Sequence, residues 1–97
     1  MQLLVRNKVK DFPTWYRFFD EESVAASEYG VTLDRVWQSM DDPNNVFFIL
    51  NVEDVDRANA FMARPESAEV GEKSGVIEPC QIVYLTPGPN NQFRALD

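Results

Sequence analysis

The 97-residue sequence predicts a single α+β domain whose strands and helices follow the order β-α-β-β-α-β. Three observations predict this order. Four stretches show the two-residue alternation or the β-branched composition of strands. Two longer stretches carry apolar residues at the three- and four-residue steps of an amphipathic helix. Each boundary between them has a residue that starts or stops an element.

The first strand and the first helix differ in their periodicity. Residues 3–10, LLVRNKVK, alternate so that three apolar residues and Asn7 lie on one side and the cations on the other. Asp11 is a candidate N-cap, and a proline is tolerated in the helical turn that follows. From residue 12 to residue 29 apolar residues recur at helical spacing, and Gly30 stops the helix.

The middle of the chain predicts a β-hairpin. Residues 31–40, VTLDRVWQSM, return to strand composition, and residues 46–52, VFFILNV, are apolar at six of seven positions. The DDPNN segment between them is a turn by composition, because Asp and Asn tolerate unusual backbone angles and Pro fixes one.

A second helical region and a last strand complete the domain. Asp54 can cap a helix, and Pro65 interrupts that helix and can start a short new one. Residues 80–86, CQIVYLT, form the last predicted strand. We therefore predict one domain over residues 1–86 and a C-terminal tail over residues 87–97.

The stretch VFFILNV also predicts an assembly. The element order is that of a ferredoxin-like domain, whose right-handed crossovers place both helices on one face of a four-stranded antiparallel sheet. The third strand lies at the sheet centre with apolar residues on both sides. Each large side chain left in water forgoes the stabilisation of about 1.5–3 kcal/mol that its burial would give. A second copy of the chain, packed sheet face to sheet face, would cover the bare side. The alternative is that the tail folds back over it with Phe93 and Leu96.

Charge and composition exclude several classes of partner. The formal charge of −7, from 16 acidic and 9 basic residues, repels phosphate backbones and anionic lipids, so we expect neither nucleic acid nor membrane as a partner. A single cysteine, Cys80, cannot form an internal disulfide and fits a reducing cytoplasm. The sequence shows no signal-peptide pattern, glycine-rich phosphate loop or clustered metal ligands, and we expect no cofactor and no metal.

Three segments carry a resemblance to a known family: LLVRNKVKDFPTWYRFFDE, DDPNNVFFIL and RANAFMARPESAEVGEKSGVIEPCQIVYL. Over about residues 2–86 the chain resembles the dimeric α/β-barrel superfamily, in particular its small antibiotic-biosynthesis-monooxygenase-like and cyclase-like members. The resemblance implies a homodimer whose two sheets pack into a barrel, with a pocket in each subunit between sheet and helices. Because the superfamily includes monooxygenases, haem-degrading enzymes, isomerases and regulatory ligand-binding domains, the fold does not select the chemistry.

One departure from the family limits that chemistry. Relatives often carry His on the first strand where this chain has Asn7, and the chain contains no histidine at all. Histidine-based acid–base catalysis and histidine ligation of haem are therefore excluded. Cys80 also has no histidine that could activate it as a nucleophile.

The candidate ligand-binding residues are Asn7, Arg35 and Trp37, and no catalytic residue can be assigned. A buried amide needs a partner, so Asn7 either orients a ligand carbonyl or phenol or makes a structural hydrogen bond. Arg35 and Trp37 could form an aromatic wall with a cation above it, although a large aromatic residue is more often plain core.

Two functions remain open from the sequence. One is a cofactor-independent monooxygenase or cyclase acting on an aromatic or polyketide-like substrate, which would supply the reactive electrons itself. The other is a non-catalytic ligand-binding or stress-associated module that uses the same pocket. An RNA-binding role lacks the required aromatic and basic motif on the sheet.

Overall fold

A computed structural model describes residues 1–87 of the chain, and the predicted tail from residue 88 onward lies outside the described residues. The elements are β1 (Gln2–Lys8), α1 (Phe12–Glu28), β2 (Val31–Gln38), β3 (Asn45–Val52), α2 (Val55–Met62), α3 (Pro65–Lys73) and β4 (Gln81–Leu85). The predicted order is confirmed, and the second helical region is two short helices that meet before Pro65. No helix in residues 1–87 is long and apolar enough to cross a membrane.

The four strands form one antiparallel sheet in the order β2-β3-β1-β4. This is the ferredoxin-like sheet that the sequence predicts, with β1 and β3 at its centre. The buried core lies on the side of the sheet that carries the helices, which we call the inner face. Its buried apolar residues are Leu3, Val5, Val9, Trp15, Val31, Val46, Phe48, Val52 and Ala58.

Three aromatic rings fix α1 on the inner face. The ring centroids of Trp15 and Phe19 lie 4.8 Å apart in a stacked arrangement. Both rings contact Phe48 of β3, with centroid distances of 5.6 Å from Trp15 and 4.9 Å from Phe19. Tilted and offset aromatic pairs of this kind add to the apolar area that they bury, so they anchor the helix to the central strand.

Both predicted N-caps are confirmed. The Asp11 carboxylate accepts hydrogen bonds from the backbone N–H and the hydroxyl of Thr14, at 3.0 and 2.6 Å. These bonds, chiefly the one from the Thr14 hydroxyl, lower the pKa of Asp11. The stability that this cap provides is therefore present above the usual pKa of an aspartate and is lost as the pH falls through the lowered value. Asp54 caps α2 in the same way, by accepting from the backbone N–H of Asp56 at 2.8 Å.

A β-bulge in β2 changes which side chains share a face. The inner-face pairing of Leu33 with Leu50 is followed by a pairing of Arg35 with Ile49, so that Asp34 is an extra residue in its strand. In a regular ladder Arg35 would lie opposite Phe48 on the inner face. The bulge instead reverses the alternation, so that Arg35 and Trp37 lie on the other side of the sheet and Val36 packs against the core on the inner face.

The side of the sheet away from the helices, the outer face, is also apolar at its centre. Leu4 of β1 lies between Ile49 of β3 and Val83 of β4. In the next row Trp37 lies beside Phe47. Trp37 is 45% exposed and Val83 is 51% exposed. The prediction that apolar side chains occupy both sides of β3 is therefore confirmed.

Cations and their partners flank this apolar centre. Arg6 forms an ion pair with Glu78 at 3.0 Å, and Lys8 pairs with Asp42. These exposed or half-buried pairs contribute little to stability individually. Their consequence is that the outer-face charges of β1 are already neutralised within the chain.

Two glycine substitutions test the backbone. Gly30 has a φ of +73°, whereas a Cβ at Gly71 in α3 would meet no atom within 4 Å. We expect Gly30→Ala to lower the free energy of unfolding by at least about 1 kcal/mol, because L residues are strained in the left-handed region. Gly71→Ala should raise it by up to about 1 kcal/mol through helix propensity. Urea unfolding measures both, and equal effects of the two substitutions would contradict the described backbone.

Candidate functional site

A partly open cavity of about 570 Å³ lies between the inner face of the sheet and the three helices. Its floor is formed by strand residues that include Val5, Phe48 and Ile82. Its walls come from aromatic residues of α1, from the end of α2 and from one side of α3. The cavity exists because the two short helices cover the inner face sparsely: α2 buries only Ala58, and α3 buries no residue.

The lining is mostly apolar and aromatic. Trp15 and Phe19 of α1, which spacing predicts as packing residues, pack on the sheet and also line the cavity. Phe48 of the floor and Phe61 of α2 bring the number of aromatic rings in the lining to four. An interior of this kind favours an apolar ligand, because the ligand and the lining are both removed from water on binding.

Most hydroxyl groups in the lining are already engaged. The Ser23, Ser27, Ser67 and Ser74 hydroxyls each donate to a helical backbone carbonyl, at distances of 2.6 to 3.0 Å. A serine that donates in this way keeps only acceptor capacity toward a ligand.

Asn7 is the buried polar side chain of the cavity floor. It is 6% exposed, and its Oδ1 accepts a hydrogen bond from the Cys80 thiol, with the sulfur at 2.7 Å. The pairing follows from the register of β1 with β4, in which Arg6 lies opposite Gln81, so the next position of β1 comes beside Cys80. Partial burial of the thiol raises the pKa of Cys80, which keeps it protonated at neutral pH.

An ion pair stands at the rim of the cavity. The Arg64 guanidinium pairs with Glu22 of α1, and it lies 4.4 Å from the ring centroid of Phe61 and 5.7 Å from that of Tyr29. Arg64 therefore ties the junction of α2 and α3 to α1 through charge and through stacking. Glu22 and Cys80 are the ionisable residues among the described lining, and each has a partner.

The structure does not bring the three predicted binding residues together. Asn7 lies in the cavity floor. Arg35 and Trp37 lie on the outer face, because the bulge at Asp34 reverses the alternation that the sequence predicts for β2. A role in ligand binding stays a prediction for all three residues, and the sheet separates Arg35 and Trp37 from the cavity that Asn7 lines.

The sequence analysis missed two contributors to the site. Cys80 was considered only as a nucleophile, whereas it is the hydrogen-bond partner of Asn7. The register of an antiparallel first and last strand could have shown this contact. Arg64 gave no sequence signal, because its partner Glu22 is remote in the chain. Among residues 1–87, no three or more potential ligands cluster in a way that could hold a metal ion.

Several solved structures are similar in fold to this chain. An antibiotic biosynthesis monooxygenase matches with a TM-score of 0.68 and 12% identity over 91% of this chain and 98% of that chain. A proposed antibiotic biosynthesis monooxygenase from Bacteroides thetaiotaomicron matches at 0.67 and 17% identity, over 98% of this chain and 95% of that one. An uncharacterised NIPSNAP domain protein from Burkholderia xenovorans matches at 0.64 and 16% identity, over 92% and 96%.

These likenesses confirm, at the level of fold, the resemblance to antibiotic-biosynthesis-monooxygenase-like proteins that the sequence indicates. At such identities they carry neither substrate nor activity to this chain. No family model matches the sequence, and no curated protein matches it either.

The rim contact of Arg64 is open to test. We expect Arg64→Ala to lower the free energy of unfolding by about 1–2 kcal/mol, because it removes both the ring contact and the pairing with Glu22. Arg64→Lys keeps the charge but loses the planar stacking, so its free energy of unfolding should lie between those of the wild type and Arg64→Ala. Urea unfolding monitored by circular dichroism measures both variants. Wild-type stability in Arg64→Ala would show that the rim contact does not hold the helices.

Proposed function

We propose that the chain is a homodimeric small-molecule-binding protein whose inner cavity takes a largely apolar, aromatic ligand. The observation that carries this proposal is the 570 Å³ cavity with four aromatic rings in its lining and the buried amide of Asn7 in its floor. Ligand pockets commonly span about 300–1,000 Å³ and combine apolar walls with a few polar groups. The volume therefore suits a molecule of two or three fused rings.

The charge distribution favours a neutral ligand. Glu22 is paired with Arg64, and the Cys80 thiol is protonated at neutral pH, so the described lining offers no unpaired cation to a carboxylate or a phosphate. The net charge of −7 also opposes anionic ligands at long range.

A second candidate is cofactor-independent oxygenation of such a ligand. Several of the solved structures with this fold carry the name of antibiotic biosynthesis monooxygenase. In this reaction an electron-rich phenol would reduce molecular oxygen, so that one oxygen atom enters the ring to give a quinone and the other leaves as water. The chain would contribute shape, the exclusion of water and the Asn7 amide as a hydrogen-bond donor to the ring oxygen. A non-catalytic module would use the same cavity without turnover.

The outer face supports the homodimer. Leu4, Phe47, Ile49 and Val83 form a continuous apolar strip with Trp37 at its edge. Exposed apolar patches of several hundred Å² on a monomer usually mark an interface. Because β1 neutralises its own cations through Glu78 and Asp42, a second copy can approach the central strands without burying unpaired charge there. Arg35, which has no ion pair among the described residues, lies on the edge strand β2, where its charge can stay in water.

Ligand binding can be measured with 1-naphthol, a two-ring phenol. Trp15 lines the cavity and Trp37 does not, so the emission of Trp15 in a Trp37→Phe background reports on binding. We expect saturable quenching that Gly71→Phe weakens at least about tenfold, because its side chain would occupy cavity space. Gly71→Ala is the matched control and should bind normally. Equal quenching in all three proteins would place the ligand elsewhere.

The same probe separates the two candidate functions. An oxygenase would consume one molecule of oxygen for each naphthoquinone formed from 1-naphthol, whereas a binding module would leave the phenol unchanged. Oxygen-electrode and absorbance measurements in air, with Gly71→Phe as the negative control, decide between them.

The homodimer can be tested with a charge at the centre of the outer face. Ile49→Glu should convert the dimer to a monomer, because a carboxylate would be buried between the two sheets. Met40→Glu is the control, since Met40 is fully exposed beside the β2–β3 turn. Size-exclusion chromatography with light scattering gives the masses. A dimeric Ile49→Glu protein would move the interface to another surface.

A further inference from the structure

Cys80 holds the Asn7 amide in one orientation. The thiol donates to Oδ1, at a sulfur–oxygen distance of 2.7 Å. The Nδ2 atom of Asn7 has no hydrogen-bond partner among the described residues, although every fully buried side-chain nitrogen or oxygen there has one. Nδ2 is therefore accessible from the cavity that Asn7 lines, even though the residue as a whole is only 6% exposed.

We propose that Cys80 is a positioning residue that points the Asn7 amide nitrogen into the cavity, so that the site selects ring ligands carrying a hydrogen-bond acceptor such as a ketone or quinone oxygen. This inference rests on the proposed function, because it names the ligand class of the same cavity. It gives the single cysteine of the chain a role that does not require nucleophilic chemistry.

The physical basis is the asymmetry of an amide group. An asparagine side chain can present either its oxygen or its NH₂ group, and its neighbour decides which one faces a ligand. The Cys80 thiol, whose pKa is raised by desolvation although the residue is exposed overall, stays protonated at neutral pH and is a donor, so it favours the orientation with Oδ1 toward sulfur. If the thiol is removed, no other described group beside Oδ1 holds that orientation. The Asn7 side chain would then present its NH₂ group or its oxygen to the cavity without preference.

The lining serines strengthen the preference. Their hydroxyls donate to helical carbonyls, so the side-chain donors left to a ligand in the described lining are the Asn7 amide in the floor and the Thr32 hydroxyl of β2. A ligand carbonyl that meets Nδ2 gives it a partner, whereas a hydrocarbon of the same shape leaves it unpaired in an apolar site. The cost of an unpaired buried donor corresponds to roughly a tenfold difference in affinity.

The test compares 1-tetralone with tetralin, two neutral bicyclic molecules that differ by one ring carbonyl. Their dissociation constants are measured by quenching of Trp15 emission in the Trp37→Phe protein and in its Cys80→Ala and Cys80→Ser derivatives. We expect the ketone to bind about tenfold more tightly than the hydrocarbon in the parent. That ratio should fall about twofold in Cys80→Ala, whose Asn7 amide would divide between two orientations, and should persist in Cys80→Ser, whose hydroxyl can still donate.

Each outcome has a distinct meaning. A ketone-to-hydrocarbon ratio in Cys80→Ala that is as large as in the parent would overturn the positioning role. Equal binding of the two probes in the parent would overturn the acceptor preference while leaving an apolar site in place. Failure of both probes to bind the parent would overturn the proposed function itself. Circular dichroism melts confirm that the variants compared are folded.

Discussion

The structure depends on one constraint: β3 runs through the centre of the sheet with large apolar side chains on both of its sides. Val46 and Phe48 belong to the inner face, where the helices bury them, and Phe47 and Ile49 belong to the outer face. No arrangement of the described helices covers both faces, because both crossovers return on the same side. The chain can bury the second face only with another layer, and in the proposed homodimer a second copy would supply it.

The helices cover the inner face of the sheet unevenly. α1 packs closely on the inner face through Trp15 and Phe19. The rest of that face is covered by α2 and α3, two short helices separated at Pro65, and α3 buries no residue. The gap between a well-packed helix and a sparsely packed one is the cavity. The break at Pro65 thus leaves the cavity open, and Arg64 ties the junction of α2 and α3 to α1 at the cavity rim.

Local signals predicted most of the fold but only part of the site. The caps at Asp11 and Asp54 and the left-handed Gly30 each act within a few residues, so sequence spacing revealed them. The face occupied by Arg35 and Trp37 depends on the bulge at Asp34, which is set by pairing with β3 and leaves no mark in the period of β2 itself. The contact of Asn7 with Cys80 spans 73 positions and becomes visible only once the register of β1 and β4 is known.

The solution mass of the unmodified full-length chain is the measurement that tests this account most directly. Size-exclusion chromatography with light scattering should give a mass near twice 11.1 kDa across a hundredfold range of micromolar concentrations. That result would show that a second copy is available to cover the outer face of β3. A stable monomer over the same range would contradict the account, because the outer apolar strip would then have to be covered from within the chain.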